Sequence, residues 1–318
     1  MDTNLQASSV PVDSPDCQHV LFPRKDLGFD LSGNLYLPID FIATKRYPAI
    51  VVSHPGGGVK EQTAGTYAKR LAEAGYVTLA FDAAYQGQSG GEPRNIDDPH
   101  LRVEDISYAI DYLLTLPFVD DKRIGALGIC AGGGATMQAS CLDRRIRAVA
   151  GISIFDVGGA TREMGKEKLL AFLEKVSAQK TAEAHGDPLL LTPIIPDTKA
   201  ELPPDAPTYL VQAVDYYRTP RAWHPRSTNR AVFSLLDRSV NFFPFQLMGD
   251  LLTQPLLIIS GDQSDTINYS QEAYDAACGP KELFLVKGAG HVDMYDKEPY
   301  VSEAVVKLAS FFGENLKA

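Results

Sequence analysis

The stretch Gly128-Ile129-Cys130-Ala131-Gly132-Gly133-Gly134 decides the fold and the chemistry that we expect of this chain. The apolar run Ile124–Ile129 before it predicts a buried strand, and residues 132–142 after it predict a helix. Glycines two positions before and after a nucleophile are typical of a strained strand-to-helix turn, because only small neighbours permit that geometry. The pattern therefore predicts that Cys130 is a nucleophile at the start of a helix, where the helix dipole should lower the pKa of its thiol.

The glycines have two other interpretations. One is a buried structural cysteine beside a glycine-rich turn. The other is a phosphate cradle, but the chain has no G-x-G-x-x-G and no G-x-x-x-x-G-K-[ST], which disfavours a nucleotide site. The other cysteines, Cys17, Cys141 and Cys278, are scattered and no histidine stands at metal-ligand spacing. We therefore expect no disulfide framework, no metal and no cofactor.

Apolar runs alternate with helical patterns on both sides of this turn. Strands are predicted at Ala49–Ser53, Tyr76–Phe81, Ile124–Ile129, Ala148–Phe155, Pro255–Ser260 and Glu282–Val286. Helices are predicted at Glu61–Ala74, Leu101–Leu114, Gly132–Leu142, Ser270–Ala277 and Pro299–Leu316. Repeated strand-helix units predict an α/β fold with a mostly parallel central sheet and helices on both faces.

The 318 residues exceed what one simple domain needs, and the additional residues fall in one segment of the chain. Between residues 157 and 250 the alternation breaks into a helix near Lys166–Val176, many prolines and aromatic clusters. We expect a flexible leader at 1–17, a core formed by 18–156 and 251–318, and an inserted helical cap at 157–250.

Charge and hydropathy exclude two classes of partner. Forty acidic and 30 basic side chains give a net charge of −10, which repels nucleic-acid phosphates and anionic lipid. The longest apolar runs are far shorter than the roughly 20 residues of a membrane span, and Met1–Cys17 lacks the pattern of a signal peptide. We expect a cytoplasmic protein that binds no nucleic acid and no membrane; the oligomeric state, including a homo-oligomer, stays open.

A nucleophile of this kind needs a base and an acid that follow it in the chain. His291 comes just after the strand Glu282–Val286, and we prefer it to His224, which lies in the surplus segment. The loop after Ser260 offers Asp262 and Asp265; we favour Asp265 as the acid that orients the histidine, with Asp262 and Asp293 as alternatives.

Backbone N–H groups should hold the oxyanion that forms during acyl transfer. Ala131 N–H follows the nucleophile, and the strand Ala49–Ser53 opens into the glycine loop His54–Gly58, from which we choose Gly57 as the second donor. For His54 we prefer a role in bracing this loop.

Aromatic and basic side chains near the predicted sheet edge are candidates for substrate contact. Tyr85 follows one strand, although a turn-packing tyrosine is the more common outcome, and the cap contributes Tyr217 and Trp223. Arginines Arg218, Arg221 and Arg226 could bind a substrate carboxylate or phosphate. The competing interpretation is that these side chains only pack the cap against the core.

Five blocks of the chain together resemble the α/β-hydrolase superfamily, and within it the dienelactone-hydrolase-like branch that includes YcjY-type bacterial proteins and fungal polyketide transferases. The blocks are HPGGGVKEQT (54–63), FDAAYQGQSGGEPR (81–94), RIGALGICAGGG (123–134), DYYRTPRAWHP (215–225) and KELFLVKGAGHVDMYD (281–296). The resemblance runs from about residue 20 to the end. It implies a Cys-His-Asp acyl-transfer enzyme with a helical cap.

The expected reaction is hydrolysis of an ester or thioester through an acyl-cysteine, with a polyketide-type or fatty-acyl small molecule as substrate, free or carrier-bound. One alternative is transfer of a polyketide acyl chain to an alcohol. The other is a non-catalytic scaffold that binds a small ligand.

Overall fold

Eight strands form the central sheet of the computed structural model, which describes residues 17–317. The ten strands of this range are β1 (Cys17–Arg24), β2 (Phe29–Tyr36), β3 (Tyr47–Ser53), β4 (Val77–Phe81), β5 (Val119–Ile129), β6 (Ile146–Ile152), β7 (Leu191–Pro193), β8 (Arg230–Val232), β9 (Leu256–Gly261) and β10 (Lys281–Val286). The large sheet has the order β1-β2-β4-β3-β5-β6-β9-β10, and β7 pairs with β8 separately.

The large sheet is parallel from β4 to β10, and only β1 and β2 run antiparallel to their neighbours. This confirms the mostly parallel sheet that the sequence predicts. The sequence did not predict the β1–β2 hairpin, because residues 17–36 lack an uninterrupted apolar run. Strand β5 lies between β3 and β6 in the middle of the sheet, so its carboxyl end opens at the centre of one sheet edge.

Helices cover both faces of this sheet. The ten α-helices of the described range are α1 (Thr63–Glu73), α2 (Pro99–Thr115), α3 (Ala131–Leu142), α4 (Val157–Arg162), α5 (Lys166–Ala184), α6 (Thr208–Arg218), α7 (Met248–Leu251), α8 (Ile267–Ala276), α9 (Asp293–Asp296) and α10 (Tyr300–Asn315). Leu71 of α1 and Phe312 of α10 pack in one buried cluster, and Ile106 of α2 and Met137 of α3 pack in the other. Apolar side chains on both faces of the strands therefore have a helix to pack against.

The segment between β6 and β9 leaves the strand-helix alternation. It contains α4 to α7, the short β7–β8 pair and two 3-10 helices. Its helix α6 buries Ala213, Val214, Tyr216 and Tyr217 in the same cluster as α1 and α10. This segment spans the residues 157–250 that the sequence predicts to form a cap, and we keep that name for it, while the predicted leader, apart from Cys17 in β1, lies outside the described residues. None of the helices between residues 17 and 317 is long and apolar enough to cross a membrane.

The turn from β5 into α3 has the strained backbone that its glycines indicate. Cys130 has φ 55° and ψ −122°, a left-handed conformation that is rare for a residue with a side chain. Its N–H donates to Ile152 O, and its carbonyl accepts from the N–H groups of Gly133 and Phe155. Gly132 passes so close to β3 that an added Cβ would lie 2.6 Å from the carbonyl oxygens of Ser53 and His54.

Gly132→Ala should therefore destabilise the protein by about 1–3 kcal/mol, because the contacts are with backbone atoms that cannot move away cheaply. Gly249→Ala is the matched control. That exposed helical glycine has its nearest contact at 3.5 Å, so alanine there should be neutral or slightly stabilising. Urea denaturation measures both variants, and equal stability of Gly132→Ala and the wild type would contradict this view of the turn.

Candidate active site

Cys130 lines a partly open cavity at the carboxyl end of β5. The cavity measures about 150 Å³ and is lined mainly by apolar and aromatic side chains. Its lining includes Cys130, Ala131, Phe155, Tyr209, Tyr217, His291 and Tyr295. The structure therefore brings the expected nucleophile and the expected base into one pocket, from loops that follow strands β5 and β10.

Two backbone N–H groups converge on the Cys130 sulfur. They belong to Ala131, at the first turn of α3, and to Gly56, in the loop after β3. Gly57, which we expect from the sequence as a donor, lies in the same loop, and its carbonyl accepts from Ser227 Oγ at 2.7 Å and from Asn229 Nδ2 at 2.8 Å. These bonds engage the Gly57 carbonyl and not its N–H group, so Gly57 remains a predicted oxyanion donor beside Gly56 and Ala131.

The loop that carries Gly56 is fixed by two buried side chains. His54 donates from Nδ1 to Pro55 O at 2.7 Å and accepts at Nε2 from Ala83 N–H at 3.1 Å. Burial lowers the pKa of His54 to about 3, so the ring stays neutral. Arg102 donates to His54 O at 3.0 Å and pairs with Asp97 at 2.8 Å. His54 thus braces the loop, as we preferred from the sequence.

Burial raises the pKa of the Cys130 thiol above its ordinary value. Hydrogen bonds from Tyr295, Ala131 and Gly56 and the charge of Arg102 act in the opposite direction without overcoming burial. The helix start therefore does not yield the lowered pKa that we expected. The resting residue is a neutral thiol that has to lose its proton during the reaction.

His291 is fully enclosed and has a partner on each ring nitrogen. Thr266 Oγ1 lies 2.5 Å from Nδ1, and Tyr295 Oη lies 3.1 Å from Nε2. Burial lowers the pKa of His291 to about 4, so the imidazole is neutral at neutral pH and can accept a proton. A neutral base and a neutral thiol are therefore held in the same cavity.

Asp265, the expected acid, is placed away from His291. Its carboxylate is exposed and accepts from the Tyr209 N–H of helix α6, at 3.0 and 3.2 Å. The alternatives are also engaged: Asp262 accepts from Gly288 N–H at 2.7 Å, and Asp293 accepts from Gly290 N–H at 2.9 Å.

The structure thus corrects the expected role of Asp265. Thr266, the next residue, occupies the position at His291 Nδ1 because the chain at the start of α8 directs the two neighbouring side chains differently. A threonine hydroxyl fixes the ring by hydrogen bonding but, unlike a carboxylate, supplies no negative charge to the imidazolium.

The expected substrate contacts divide into two groups. Tyr217 lines the cavity, and its buried hydroxyl has no hydrogen-bond partner in the described chain. Tyr85 is instead packed in its own turn against Phe29, with ring centroids 5.2 Å apart, and Trp223 is 36% exposed. Neither Tyr85 nor Trp223 is among the residues that line the Cys130 cavity.

The cap arginines are engaged in protein contacts. Arg221 pairs with Asp296 of α9, and Arg226 pairs with Glu61 at 2.7 Å. Arg218 donates to the carbonyl oxygens of Ile195, Pro196 and Thr228. The Arg221 and Arg226 pairs tie the cap to the core, whereas Arg218 bonds within the cap, and none of the three guanidinium groups is left free to face Cys130. Between residues 17 and 317 no group of three His, Cys, Asp or Glu side chains is arranged to hold a metal ion.

The sequence does not single out two residues of the site, Tyr295 and Thr266. Tyr295 stands four residues after His291, and this i, i+4 spacing places two side chains on the same face of a helical turn. That signal could have indicated Tyr295 if the turn α9 had been predicted. No comparable pattern distinguishes Thr266 from its neighbours.

Comparisons with known proteins agree with this architecture. The model of the dienelactone hydrolase family matches residues 35–153. The uncharacterized protein YcjY of Escherichia coli (strain K12) is 44% identical over 292 residues, which cover 90% of this chain and 94% of YcjY. The crystal structure of hypothetical protein PA2218 from Pseudomonas aeruginosa has a TM-score of 0.87 and 35% identity, covering 95% of each chain. A thiohydrolase of Eupenicillium brefeldianum is 27% identical over 300 residues, covering 92% of this chain and 94% of that protein.

An NMR titration of the His291 ring should give a pKa of about 4, because burial disfavours the imidazolium. The Asp265→Asn variant should titrate at the same pH, since the Asp265 carboxylate binds Tyr209 N–H and not the ring. The spectrum of a His291→Gln variant assigns the signal. A wild-type pKa at or above about 6.5 that falls in Asp265→Asn would show that Asp265 is the ring's partner after all.

Proposed function

The chain belongs to the dienelactone hydrolase family of α/β-hydrolases, and on that basis we propose that it hydrolyses an ester or thioester through an acyl-cysteine intermediate. Proteins of this family are hydrolases and acyltransferases, so the chain is an enzyme of that class. The observation that carries the proposal is the convergence of Gly56 and Ala131 N–H groups on Cys130, in a cavity that also holds His291.

The first half of the reaction acylates Cys130. Its sulfur attacks the acyl carbonyl carbon while His291 takes up the thiol proton, and the carbonyl oxygen becomes an oxyanion. The N–H groups that lie against sulfur at rest are well placed to hold this oxyanion, and such donors typically contribute about 3 kcal/mol each to the transition state. The tetrahedral adduct then expels the alcohol or thiol, to which the His291 imidazolium returns its proton.

The second half releases the acyl group. Water attacks the acyl-cysteine, His291 accepts a proton from that water, and the Cys130 thiol leaves with a proton from the imidazolium. Thr266 holds the ring through Nδ1 during both halves. Because no carboxylate of residues 17–317 bonds to the ring, the imidazolium is short-lived, which agrees with the lowered pKa of His291.

The shape and polarity of the cavity favour an apolar acyl group. Phe155, Ile195 and Leu210 line it together with tyrosine rings, and Asp97, the one carboxylate that residues 17–317 contribute to the lining, is in an ion pair with Arg102. The similarity to a thiohydrolase supports a thioester as the acyl donor, free or carrier-bound. A thiolate exchanges readily with thioesters, which supports the same substrate class.

The acceptor distinguishes hydrolysis from acyl transfer. Both reactions share the acyl-cysteine, and they differ only in whether water or an alcohol attacks it. A panel of acyl thioesters and esters with added alcohols decides between the two by the ratio of acid to ester product.

Cys130→Ala should lower kcat/KM for p-nitrophenyl esters and acyl thioesters by about a thousandfold or more, because the covalent route is lost while the fold is retained. Cys278→Ala is the matched control, since Cys278 is exposed and lies away from the cavity. Its turnover should equal that of the wild type. Unchanged turnover in Cys130→Ala would refute the proposed mechanism.

A further inference from the structure

The nitrogen of His291 that should accept the thiol proton is occupied by another side chain. Tyr295 Oη lies 3.1 Å from His291 Nε2, and Tyr295 lines the same cavity as Cys130, close enough that each side chain shifts the pKa of the other. We propose that Tyr295 is a further catalytic residue, whose hydroxyl carries the proton between Cys130 and His291. This inference rests on the acyl-cysteine mechanism proposed above.

The position of Tyr295 is fixed from several sides. The residue is 2% exposed and lines the Cys130 cavity. Its ring packs edge-on against His291, with centroids 5.7 Å apart, and against Tyr216, with centroids 5.2 Å apart. The turn α9 that carries it is held at one end by the Asp296–Arg221 ion pair, and Tyr67 Oη donates to Met294 O at 2.6 Å. A hydroxyl fixed in this way can bridge two groups without the disorder of a water molecule.

At rest, each group from Cys130 through Tyr295, His291 and Thr266 to Ser264 can donate its hydrogen bond to the next. Thr266 Oγ1 lies 3.1 Å from Ser264 Oγ, so it can donate there while it accepts from His291 Nδ1–H. With the proton on Nδ1, Nε2 is an acceptor and takes the hydrogen bond of the Tyr295 O–H. The lone pairs of Tyr295 Oη are then free to accept from the Cys130 S–H.

The relay step conserves protons and charge. As the sulfur–carbon bond forms, the S–H bond breaks and its proton goes to Tyr295 Oη, while the proton already on that oxygen passes to His291 Nε2. Tyr295 is a neutral phenol before and after, the imidazole becomes an imidazolium, and the negative charge moves to the carbonyl oxygen. The reverse passage returns a proton to the leaving group. Burial raises the pKa of Tyr295 well above its ordinary value, which disfavours a free phenolate and favours the concerted exchange of one proton for another.

The Tyr295→Phe variant tests the relay, because it keeps the ring contacts and removes only the hydroxyl. The rate of Cys130 acylation, measured as the p-nitrophenol burst, should fall about a hundredfold, the lower range of general acid-base contributions. Tyr216→Phe is the matched control: Tyr216 is an equally buried neighbour that does not line the cavity, and its burst rate should equal that of the wild type.

The solvent deuterium isotope effect on the burst separates a relay from a positioning role. A relay puts one more proton in motion in the wild type than in Tyr295→Phe, so the isotope effect should be larger in the wild type. Equal isotope effects, or a burst rate in Tyr295→Phe within threefold of the wild type, would overturn the proposal. Replacing Tyr295 by 3-fluorotyrosine keeps the packing and lowers the phenol pKa; the acylation rate should change, and an unchanged rate would also overturn it.

Failure of the Tyr295 relay can be distinguished from failure of the acyl-cysteine mechanism. If Cys130→Ala retains full turnover, the acyl-cysteine itself is wrong. If Cys130→Ala is inactive while Tyr295→Phe acylates at the wild-type rate, only the relay is wrong and His291 takes the proton directly.

Discussion

The left-handed backbone at Cys130 is the constraint on which the rest of the site depends. A residue with a side chain adopts φ 55° only where the surrounding structure enforces it, and here β5, α3 and the β3 loop do so together. Gly132 permits the contact because it presents no Cβ to the carbonyls of Ser53 and His54. The same close contact brings the loop with Gly56 to the nucleophile. One backbone conformation thus presents the thiol to the cavity and places two N–H donors on it.

Burial determines the electrostatics of the site. It raises the pKa of Cys130 and lowers that of His291, so both groups are neutral at rest. Proton transfer from Cys130 to His291 separates charge, so it has to coincide with formation of the oxyanion, which the N–H donors stabilise. With Thr266 rather than a carboxylate on Nδ1, little in the site favours a resting ion pair. Such a site depends on well-placed proton donors and acceptors, which is the role that we assign to Tyr295.

The sequence predicts the parts of this site that follow from periodicity and small residues. The glycines around Cys130, the buried strand before it and the position of His291 after β10 could all be predicted. At His291 Nδ1 the structure has Thr266 where the sequence favours its neighbour Asp265. Two neighbouring side chains of a loop point in different directions, and only tertiary contacts such as Asp265 with Tyr209 N–H decide which of them reaches the ring. The contacts of the cap, which come from residues distant in sequence, could not be predicted for the same reason.

The central claim is that the acyl group is carried by Cys130 during turnover. The most direct measurement is acid quenching within the first turnover of a p-nitrophenyl ester, followed by intact-mass analysis and peptide mapping. The account predicts a mass increase equal to one acyl group, located on the peptide that contains Cys130. A p-nitrophenol burst with no adduct on that peptide, or with the acyl group on another side chain, would contradict it.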